Sequence, residues 1–268
     1  MPPRKQGLPE CLEAIYRRYN RRELIHPDPL EFLWHYPCLK DREIAGMVAQ
    51  GLAYGRVAQI LKSIEKVLSL LGPSPSDFLR DQSLRDLRLI LRGFKHRFTT
   101  SDEMSRFLHS LTKIQIEEGL LGNLMQRLRR ESGYPRALDD FAAEILKGTG
   151  MERNSLIPRP CLGSACKRLN LFMRWMVRSD EVDPGGWRGV SPSDLLVPLD
   201  THMFQLSRRL GFTGRKTPSA SAVMEITGAF RKLNPADPVK YDFALTRMGI
   251  QDRGDDGLFV ELCTVHGC

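Results

Sequence analysis

The sequence predicts an all-α protein. Apolar residues recur at helical spacing along most of the 268 residues, whereas the alternating pattern of strands is scarce. Pro- and Gly-containing breaks separate these periodic segments. Hydrophobic residues make up 41% of the chain, enough for a substantial core, and charged residues make up 27%. With that charge and no apolar run of ~18–20 residues, the composition is not that of a membrane protein.

The helices are predicted from apolar stripes and from the breaks that end them. An early stripe consists of Leu12, Ile15, Tyr16 and Tyr19. The segment AQILKSIEKVLSLLG, residues 58–72, carries a second stripe and ends at Gly72-Pro73. Further helices are predicted at 41–53, 76–92, 101–119, 121–131 and 137–147. The stretch 180–198 is rich in Pro, Gly and Ser and is predicted to be an irregular insert.

A lysine begins the helix that precedes this insert. In KRLNLFMRWMVR, a core-facing stripe of Leu169, Phe172, Met173 and Met176 follows Lys167. A cation in the first turn opposes the helix dipole, which favours the neutral amine that nucleophilic chemistry needs. The same position suits an ordinary surface lysine at a helix start.

An aspartate begins the helix that follows the insert. Asp200 is predicted to be a helix N-cap, with Leu199 and Phe204 forming a hydrophobic staple around it. Capping alone explains an aspartate there, but it also fixes a carboxylate in a position suited to proton transfer. His202, two residues further on, either assists this carboxylate or packs in the core.

The net charge of +8 allows two interpretations. Forty Lys and Arg residues oppose 32 Asp and Glu residues, and the excess is dispersed along the chain. Dispersed positive charge suits a phosphate-lined partner such as DNA or RNA, but it also suits solvated helix faces. No signal-peptide pattern is visible at the N-terminus, so a cytoplasmic protein is expected.

The cysteines allow a metal site as a less favoured alternative. Cys161 and Cys166 are separated by four residues, as are Cys263 and Cys268. Zinc pairs are usually closer in sequence, so reduced thiols are the favoured interpretation and no metal or cofactor is predicted.

PLDTHMFQLSRRLGF, residues 198–212, resembles the aspartate motif of the helix-hairpin-helix DNA glycosylases, the superfamily that contains endonuclease III. The 33 positions between Lys167 and Asp200 are more similar to the archaeal 8-oxoguanine DNA glycosylase branch. The chain also resembles a bacterial family of that superfamily, through SACKRLN, FMRWMVR, PLDTH and DPVKYDFAL.

The resemblance implies a set of site residues. Lys167 would be the Schiff-base nucleophile and Asp200 its electrostatic and proton-transfer partner. MVAQGLAYGRVAQILKSI is similar to the early helix that carries a glutamine near the lesion, and GFKHRF at 93–98 looks like a later Gly-containing turn. The implied contacts to the base or to DNA are Gln50, Tyr54, Arg56, Cys166, Arg168, Leu171, Phe172 and His202.

Three departures from the superfamily stand out. The usual hairpin glycines are missing from PRPCLGSACK, which puts the phosphate contacts of that element in question. The C-terminal four-cysteine iron–sulfur loop is absent, so no cluster is expected. Leu171 and Phe172 occupy the region in which the archaeal enzymes carry an aromatic residue that stacks on the base.

The implied architecture has two helical lobes on either side of a DNA-binding cleft. Residues 1–268 would form a single catalytic unit, with a central lobe at about 38–178 and a second lobe made of 1–37 plus 179–268. The implied activity is that of a bifunctional DNA glycosylase and AP lyase for an oxidised base, with 8-oxoguanine favoured. The expected partner is double-stranded DNA with a damaged base or an abasic site, bound by a monomer associated with the nucleoid.

Two other interpretations stay open at this point. A non-catalytic nucleic-acid-binding protein on the same helical fold would account for the charge and for the altered hairpin. An RNA-directed enzyme or binder would also fit, since nothing in the sequence indicates whether a 2′-hydroxyl is recognised.

Overall fold

A computed structural model describes residues 7–251 of the chain, and the fold is all-α. Two two-residue strands, β1 Lys95–His96 and β2 Thr99–Thr100, form an antiparallel hairpin. Short 3-10 turns lie at Arg22–Leu24, Pro29–His35, Pro160–Leu162 and Pro192–Asp194. The α-helices are α1 Leu8–Tyr19, α2 Leu39–Leu52, α3 Val57–Leu71, α4 Pro75–Arg80, α5 Leu84–Ile90, α6 Ser101–Glu118, α7 Leu121–Ser132, α8 Arg136–Thr149, α9 Lys167–Val177, α10 Thr201–Arg209, α11 Ala220–Leu233 and α12 Asp242–Gln251.

The core is built around α2. Every residue of α2 from Glu43 to Leu52 is buried, as expected of a helix surrounded by other elements. The helix packs against α3, against α9 and against the 3-10 turn Pro29–His35. A Cβ atom on Gly46 would lie 3.0 Å from the Phe172 ring, so glycine permits this close approach.

The predicted helices are found with one difference. The segment 76–92, predicted as one helix, forms α4 and α5 with a break between them. Ser83 caps α5 in a reciprocal capping box with Asp86, which starts a new helix inside a continuous apolar pattern. The insert 180–198 is irregular, as predicted, apart from the 3-10 turn at Pro192–Asp194.

The helices at the two ends of the described region meet. α1 packs against α12, and α12 also packs against α10. Lys240 Nζ and Tyr241 Oη each lie 2.6 Å from Glu13 Oε1, at the start of that contact. Between residues 7 and 251, none of the helices has the length and apolar composition of a membrane span.

Candidate active site

Lys167 is the first residue of α9, directly after an unusual backbone conformation. Its neighbour Cys166 is the N-cap of α9 and has φ 45° and ψ 39°, in the left-handed region that non-glycine residues seldom adopt. This residue reverses the chain at the end of the long connection 150–166, which joins α8 to α9. The Lys167 side chain is 40% exposed, so its amine is accessible to a ligand.

Asp200 uses its two carboxylate oxygens for two different contacts. Oδ1 accepts a hydrogen bond of 2.8 Å from the Met203 backbone N–H and thereby caps α10. Oδ2 lies 3.1 Å from Lys167 Nζ. Leu199 and Phe204 are both buried beside the cap, as the predicted staple requires. The fold therefore brings together the two residues that the sequence singled out.

The Lys167–Asp200 pair lies where the N-termini of two helices converge. The dipoles of α9 and α10 both present their positive ends there. Both side chains keep access to solvent, with 25% of the aspartate side chain exposed. An accessible amine beside a fixed carboxylate, in a field that favours negative charge, has the components for amine nucleophilic catalysis.

A buried network of arginines and aspartates lies behind the pair. Arg174, in the last turn of α9, and Arg178, the residue that follows the helix, are 3% and 5% exposed. Arg174 contacts Asp183 at 3.2 Å and also forms a short ion pair with Asp242, the first residue of α12. The Arg178 guanidinium forms ion pairs with three carboxylates, those of Asp180, Asp183 and Asp237.

Asp242 links this network electrostatically to the candidate site. Burial raises the pKa of Asp242 to about 6, and the nearby charge of Asp200 adds to the increase, whereas Arg174 and Lys167 oppose it. Desolvation disfavours the ionised carboxylate, and a second carboxylate in the neighbourhood does the same. Asp242 therefore lies within the field of the Lys167–Asp200 pair.

The predicted contacts from the α2–α3 region lie in three different environments. The Gln50 side chain is fully buried, and its Nε2 donates to the carbonyl oxygens of Met47 and Leu156 at 3.2 and 3.1 Å. Tyr54 is partly buried, and Arg56 is an exposed residue at the N-cap of α3. In this conformation Gln50 has no surface available for a base.

Cys166 and Arg168 flank the lysine and point into the protein. Burial raises the pKa of the Cys166 thiol to about 11, so this thiol is protonated at neutral pH and does not act as a nucleophile. Arg168 donates to the carbonyl oxygens of Gly51 and Ser155. Its guanidinium carbon also lies 5.1 Å from the centre of the Tyr54 ring. Arg168 thus ties the start of α9 to the end of α2.

The remaining predicted contacts are mostly core residues. Phe172 is fully buried, with its ring 5.3 Å from that of Trp187, and it cannot stack on a base in this conformation. Leu171 is partly buried against the same core. His202 lies against the backbone of α12, where a Cβ atom on Gly249 would come within 2.3 Å of its ring.

Two cavities border the connection 150–166. One, of about 540 Å³, is lined in part by Cys161, Ser164 and Cys166. The other, of about 610 Å³, is lined in part by Leu162 and Arg168. Neither lining includes Lys167 or Asp200, which occupy the more open surface next to them.

Sequence reasoning missed Asp242, the Arg174–Arg178 network and the exposed ring of Phe98. Asp242 lies within DPVKYDFAL, a segment already noted for its resemblance, but the pairing with α9 joins residues 68 positions apart. Phe98 lies within GFKHRF, for which the resemblance implies only a Gly-containing turn. Its 62% exposure is a tertiary property that the local pattern does not reveal.

The metal alternative concerns two pairs of cysteines. Cys161 is exposed and Cys166 is buried, and both are free thiols. Cys263 and Cys268 lie outside the described residues. Among residues 7–251, no group of three or more His, Cys, Asp or Glu side chains is arranged to hold a metal ion.

Comparison with known proteins places the chain in a family. Searches of curated proteins and of solved structures gave no significant match. Residues 28–251, more than half of the chain, match the family model described as "Protein of unknown function (DUF2400)", and this range includes Lys167, Asp200 and the buried network behind them. The chain therefore belongs to the DUF2400 family.

Proposed function

We propose that this protein is a DNA glycosylase with AP lyase activity, which excises an oxidised base through a Schiff base on Lys167. The observation that carries the proposal is the 3.1 Å contact between Lys167 Nζ and Asp200 Oδ2 at two converging helix N-termini. The resemblance to helix-hairpin-helix glycosylases pairs the same two residues in the same roles. That resemblance also supports 8-oxoguanine as the favoured base.

The glycosylase step begins with proton transfer. Asp200 accepts a proton from the Lys167 ammonium, and the neutral amine attacks C1′ of an extruded nucleotide. The new N–C1′ bond forms as the glycosidic bond breaks, and the bonding electrons leave with the base, which takes the proton that Asp200 accepted from Lys167. Asp200 is then a carboxylate again and stabilises positive charge on the sugar.

The lyase step uses the amine that is now attached to the sugar. Opening of the sugar ring converts the C1′–N bond into a protonated imine. Loss of a proton from C2′ then expels the 3′-phosphate, which breaks the strand by β-elimination. Water hydrolyses the remaining imine and releases Lys167. No redox partner or metal is needed for this sequence.

Duplex DNA would bind in a cleft between two helical lobes, one at about 38–178 and the other made of 1–37 plus 179–268. Exposed basic residues, including Arg56, Lys95, Arg97 and Arg153, support backbone contacts that do not read sequence. Extruding the nucleotide costs a few kcal/mol, and least for a damaged base. The protein would act as a monomer in the cytoplasm, associated with the nucleoid.

Borohydride trapping tests the Schiff base directly. Sodium borohydride reduces the imine to a secondary amine, so a lysine-dependent complex with DNA becomes covalent and is seen on a denaturing gel. We expect trapping with a duplex that contains an abasic site or 8-oxoguanine, and none with undamaged duplex. Lys167→Gln should abolish it. Lys147→Gln, which removes an 80% exposed lysine that also pairs with a carboxylate, should not.

The alternative, a non-catalytic nucleic-acid binder, gives a different pattern. It predicts salt-sensitive DNA binding that Lys167→Gln leaves unchanged. It also predicts no covalent complex and no base release with any abasic or damaged duplex. Absence of trapping with every abasic and damaged substrate would reject the lyase. Equal trapping by Lys167→Gln and the unmutated protein would reject Lys167 as the nucleophile.

A further inference from the structure

A flat aromatic surface lies at the tip of the β1–β2 hairpin. The Phe98 ring stacks on the Tyr54 ring with 4.7 Å between centroids and an interplanar angle of 18°. Phe98 nevertheless remains 62% exposed. Because Tyr54 covers only one face, the other face of the Phe98 ring is open to solvent.

The Tyr54 ring that supports Phe98 is held rigidly. Its hydroxyl donates to the His96 carbonyl oxygen at 2.9 Å and lies 2.5 Å from Thr99 Oγ1. Thr99 Oγ1 is in turn 2.6 Å from Ser155 Oγ, in the connection that leads to Lys167. Hydrogen bonds therefore fix the lower ring, and the upper ring rests on a preorganised base.

The hairpin turn that presents Phe98 is strained. The two turn residues are Arg97 and Phe98, between the paired residues His96 and Thr99. Arg97 has φ 53°, as a type II′ turn requires of its first central residue, a position that glycine usually occupies. Backbone strain of this kind persists where the surrounding structure enforces it, and it is common at ligand-binding sites.

The open ring borders the cavity of about 610 Å³ that reaches Arg168, the residue next to Lys167. Leu162, 73% exposed, lines the same cavity, so the two apolar side chains face one groove. Exposed Arg153 and half-buried Arg168 contribute positive charge to the lining. The lining also contains Glu103, which accepts hydrogen bonds from the Thr100 and Ser155 backbone N–H groups, and exposed Glu152.

We propose that Phe98, supported by Tyr54, is a stacking platform for an unpaired nucleobase of the DNA bound at Lys167. The choice of nucleic acid as the ligand rests on the proposed function. Every base has a π-face, so stacking on an aromatic ring binds bases without regard to sequence, while the neighbouring arginines hold the phosphates. The platform supplies affinity for distorted DNA, and Lys167 supplies the chemistry.

A duplex containing a tetrahydrofuran abasic analogue separates the two roles. The analogue has no C1′ aldehyde and cannot form an imine, so its binding is measured without the chemistry of Lys167. We expect Phe98→Ala to raise the Kd for this duplex about tenfold, since one base–aromatic stack is lost. Phe98→Trp should stay within about twofold of the unmutated protein because it preserves the stack.

Leu89 provides the matched control because it is also 62% exposed. Leu89→Ala should leave the Kd unchanged. A base analogue, 2-aminopurine, placed opposite the lesion should brighten on binding when it leaves the helical stack, and this change should be smaller with Phe98→Ala. Equal Kd values for Phe98→Ala and the unmutated protein, an equal loss with Leu89→Ala, or no duplex binding at all would overturn the platform.

The outcome is independent of the lyase experiment. Phe98-dependent binding without borohydride trapping would support the platform and reject the enzyme. Trapping that depends on Lys167, together with equal duplex binding by Phe98→Ala and the unmutated protein, would support the enzyme and reject the platform.

Discussion

At the scale of single residues, Asp200 has contacts that suit both of the compatible roles that its sequence position indicated. One oxygen caps α10 and the other meets the Lys167 amine, so the cap determines where the second oxygen lies. An N-cap side chain is held by its hydrogen bond to the helix backbone, which removes the rotamer freedom that an exposed aspartate otherwise has. The capping hydrogen bond therefore positions the carboxylate for its proposed role beside the Lys167 amine.

Two substitutions separate these roles. Asparagine is as good an N-cap as aspartate, so Asp200→Asn should retain the stability of the protein while it loses trapping. Asp200→Ala should lose trapping and also lower the free energy of unfolding by about 1 kcal/mol. Urea unfolding measures the stability, and the borohydride gel measures the chemistry.

The cap of α11 supplies the control for this experiment. Ser219 accepts a hydrogen bond from the Ala222 N–H, and Ser219→Ala should cost a similar stability with trapping unchanged. If Asp200→Asn trapped DNA as well as the unmutated protein does, the carboxylate would have no part in the reaction.

The residues that could be predicted from sequence are those with local signals. Lys167 and Asp200 each mark a helix start, and a helix start is visible in a single stretch of chain. Phe172 shows the opposite case: its place in the apolar stripe indicated burial, and the structure confirms burial rather than the surface contact implied by the resemblance. The partners of Arg174 could not be predicted, because residues far apart in sequence supply them.

At the scale of elements, the insert 180–198 has little helix but is firmly attached. The Trp187 Nε1–H donates to Glu43 Oε1 at 2.7 Å, and the Trp34 Nε1–H donates to the Val182 carbonyl oxygen at 2.9 Å. Glu43 also accepts from Gln115 Nε2 and from the backbone N–H groups of Leu121 and Gly122. Trp187 therefore ties the insert to α2 through a buried carboxylate with four donors, and Arg42 of α2 also donates to the Pro184 and Gly185 carbonyl oxygens.

Glu43→Gln tests this attachment. Burial raises the pKa of Glu43, and the four donors oppose that increase because they favour the carboxylate. A glutamine would turn its own N–H groups towards donors, leaving buried groups unpaired. We expect the free energy of unfolding to fall by about 3 kcal/mol.

Urea unfolding followed by tryptophan fluorescence provides the measurement, since Trp187 lies at the contact. Glu117 is exposed, and Glu117→Gln should change stability by less than about 0.5 kcal/mol. A similar stability for Glu43→Gln and Glu117→Gln would show that the carboxylate does not hold the insert.

Helix boundaries, like single residues, can be predicted from sequence where a local signal marks them. The single helix predicted at 76–92 failed at Ser83, because its periodic pattern continues through a residue that caps a new helix. A Ser with an acidic residue three positions later is a visible signal, and it outweighs periodicity here. The β1–β2 hairpin had no such signal, since an arginine takes the place of the usual turn glycine.

At the scale of the whole molecule, the arginines of α9 join three parts of the chain. Asp180 and Asp183 belong to the insert, whereas Asp237 precedes α12 and Asp242 is the first residue of that helix. Four carboxylates share the two guanidinium groups of Arg174 and Arg178. Burial raises the pKa values of Asp183 and Asp242, and the neighbouring carboxylates of Asp180 and Asp200, respectively, add to the increase.

The raised pKa of Asp242 makes stability depend on pH in a defined window. In the folded protein Asp242 holds its proton up to a pH of about 6, whereas in the unfolded chain it does so only up to about 4. Unfolding within this window releases a proton. The stability contributed by Asp242 is therefore complete below the unfolded pKa and is lost as the pH rises through about 6.

Asp242→Asn should remove this dependence. The free energy of unfolding of the unmutated protein, minus that of the variant, should fall by about 2 kcal/mol as the pH rises from about 4.5 to about 7.5. Urea titrations across the range give the difference, and Asp81→Asn at an exposed position corrects for removal of a surface carboxylate. A difference that stays constant with pH would place the Asp242 pKa outside this window.

The contact between α1 and α12 has a consequence for how the protein is made. Glu13 meets Tyr241 across 228 positions of sequence. At ribosomal speeds of ~5–20 residues per second, roughly 10 to 45 s pass between the synthesis of the two. Throughout that interval the apolar face of α1 has no partner helix, so the nascent chain would need protection, by chaperones or by transient contacts, until α12 leaves the exit tunnel.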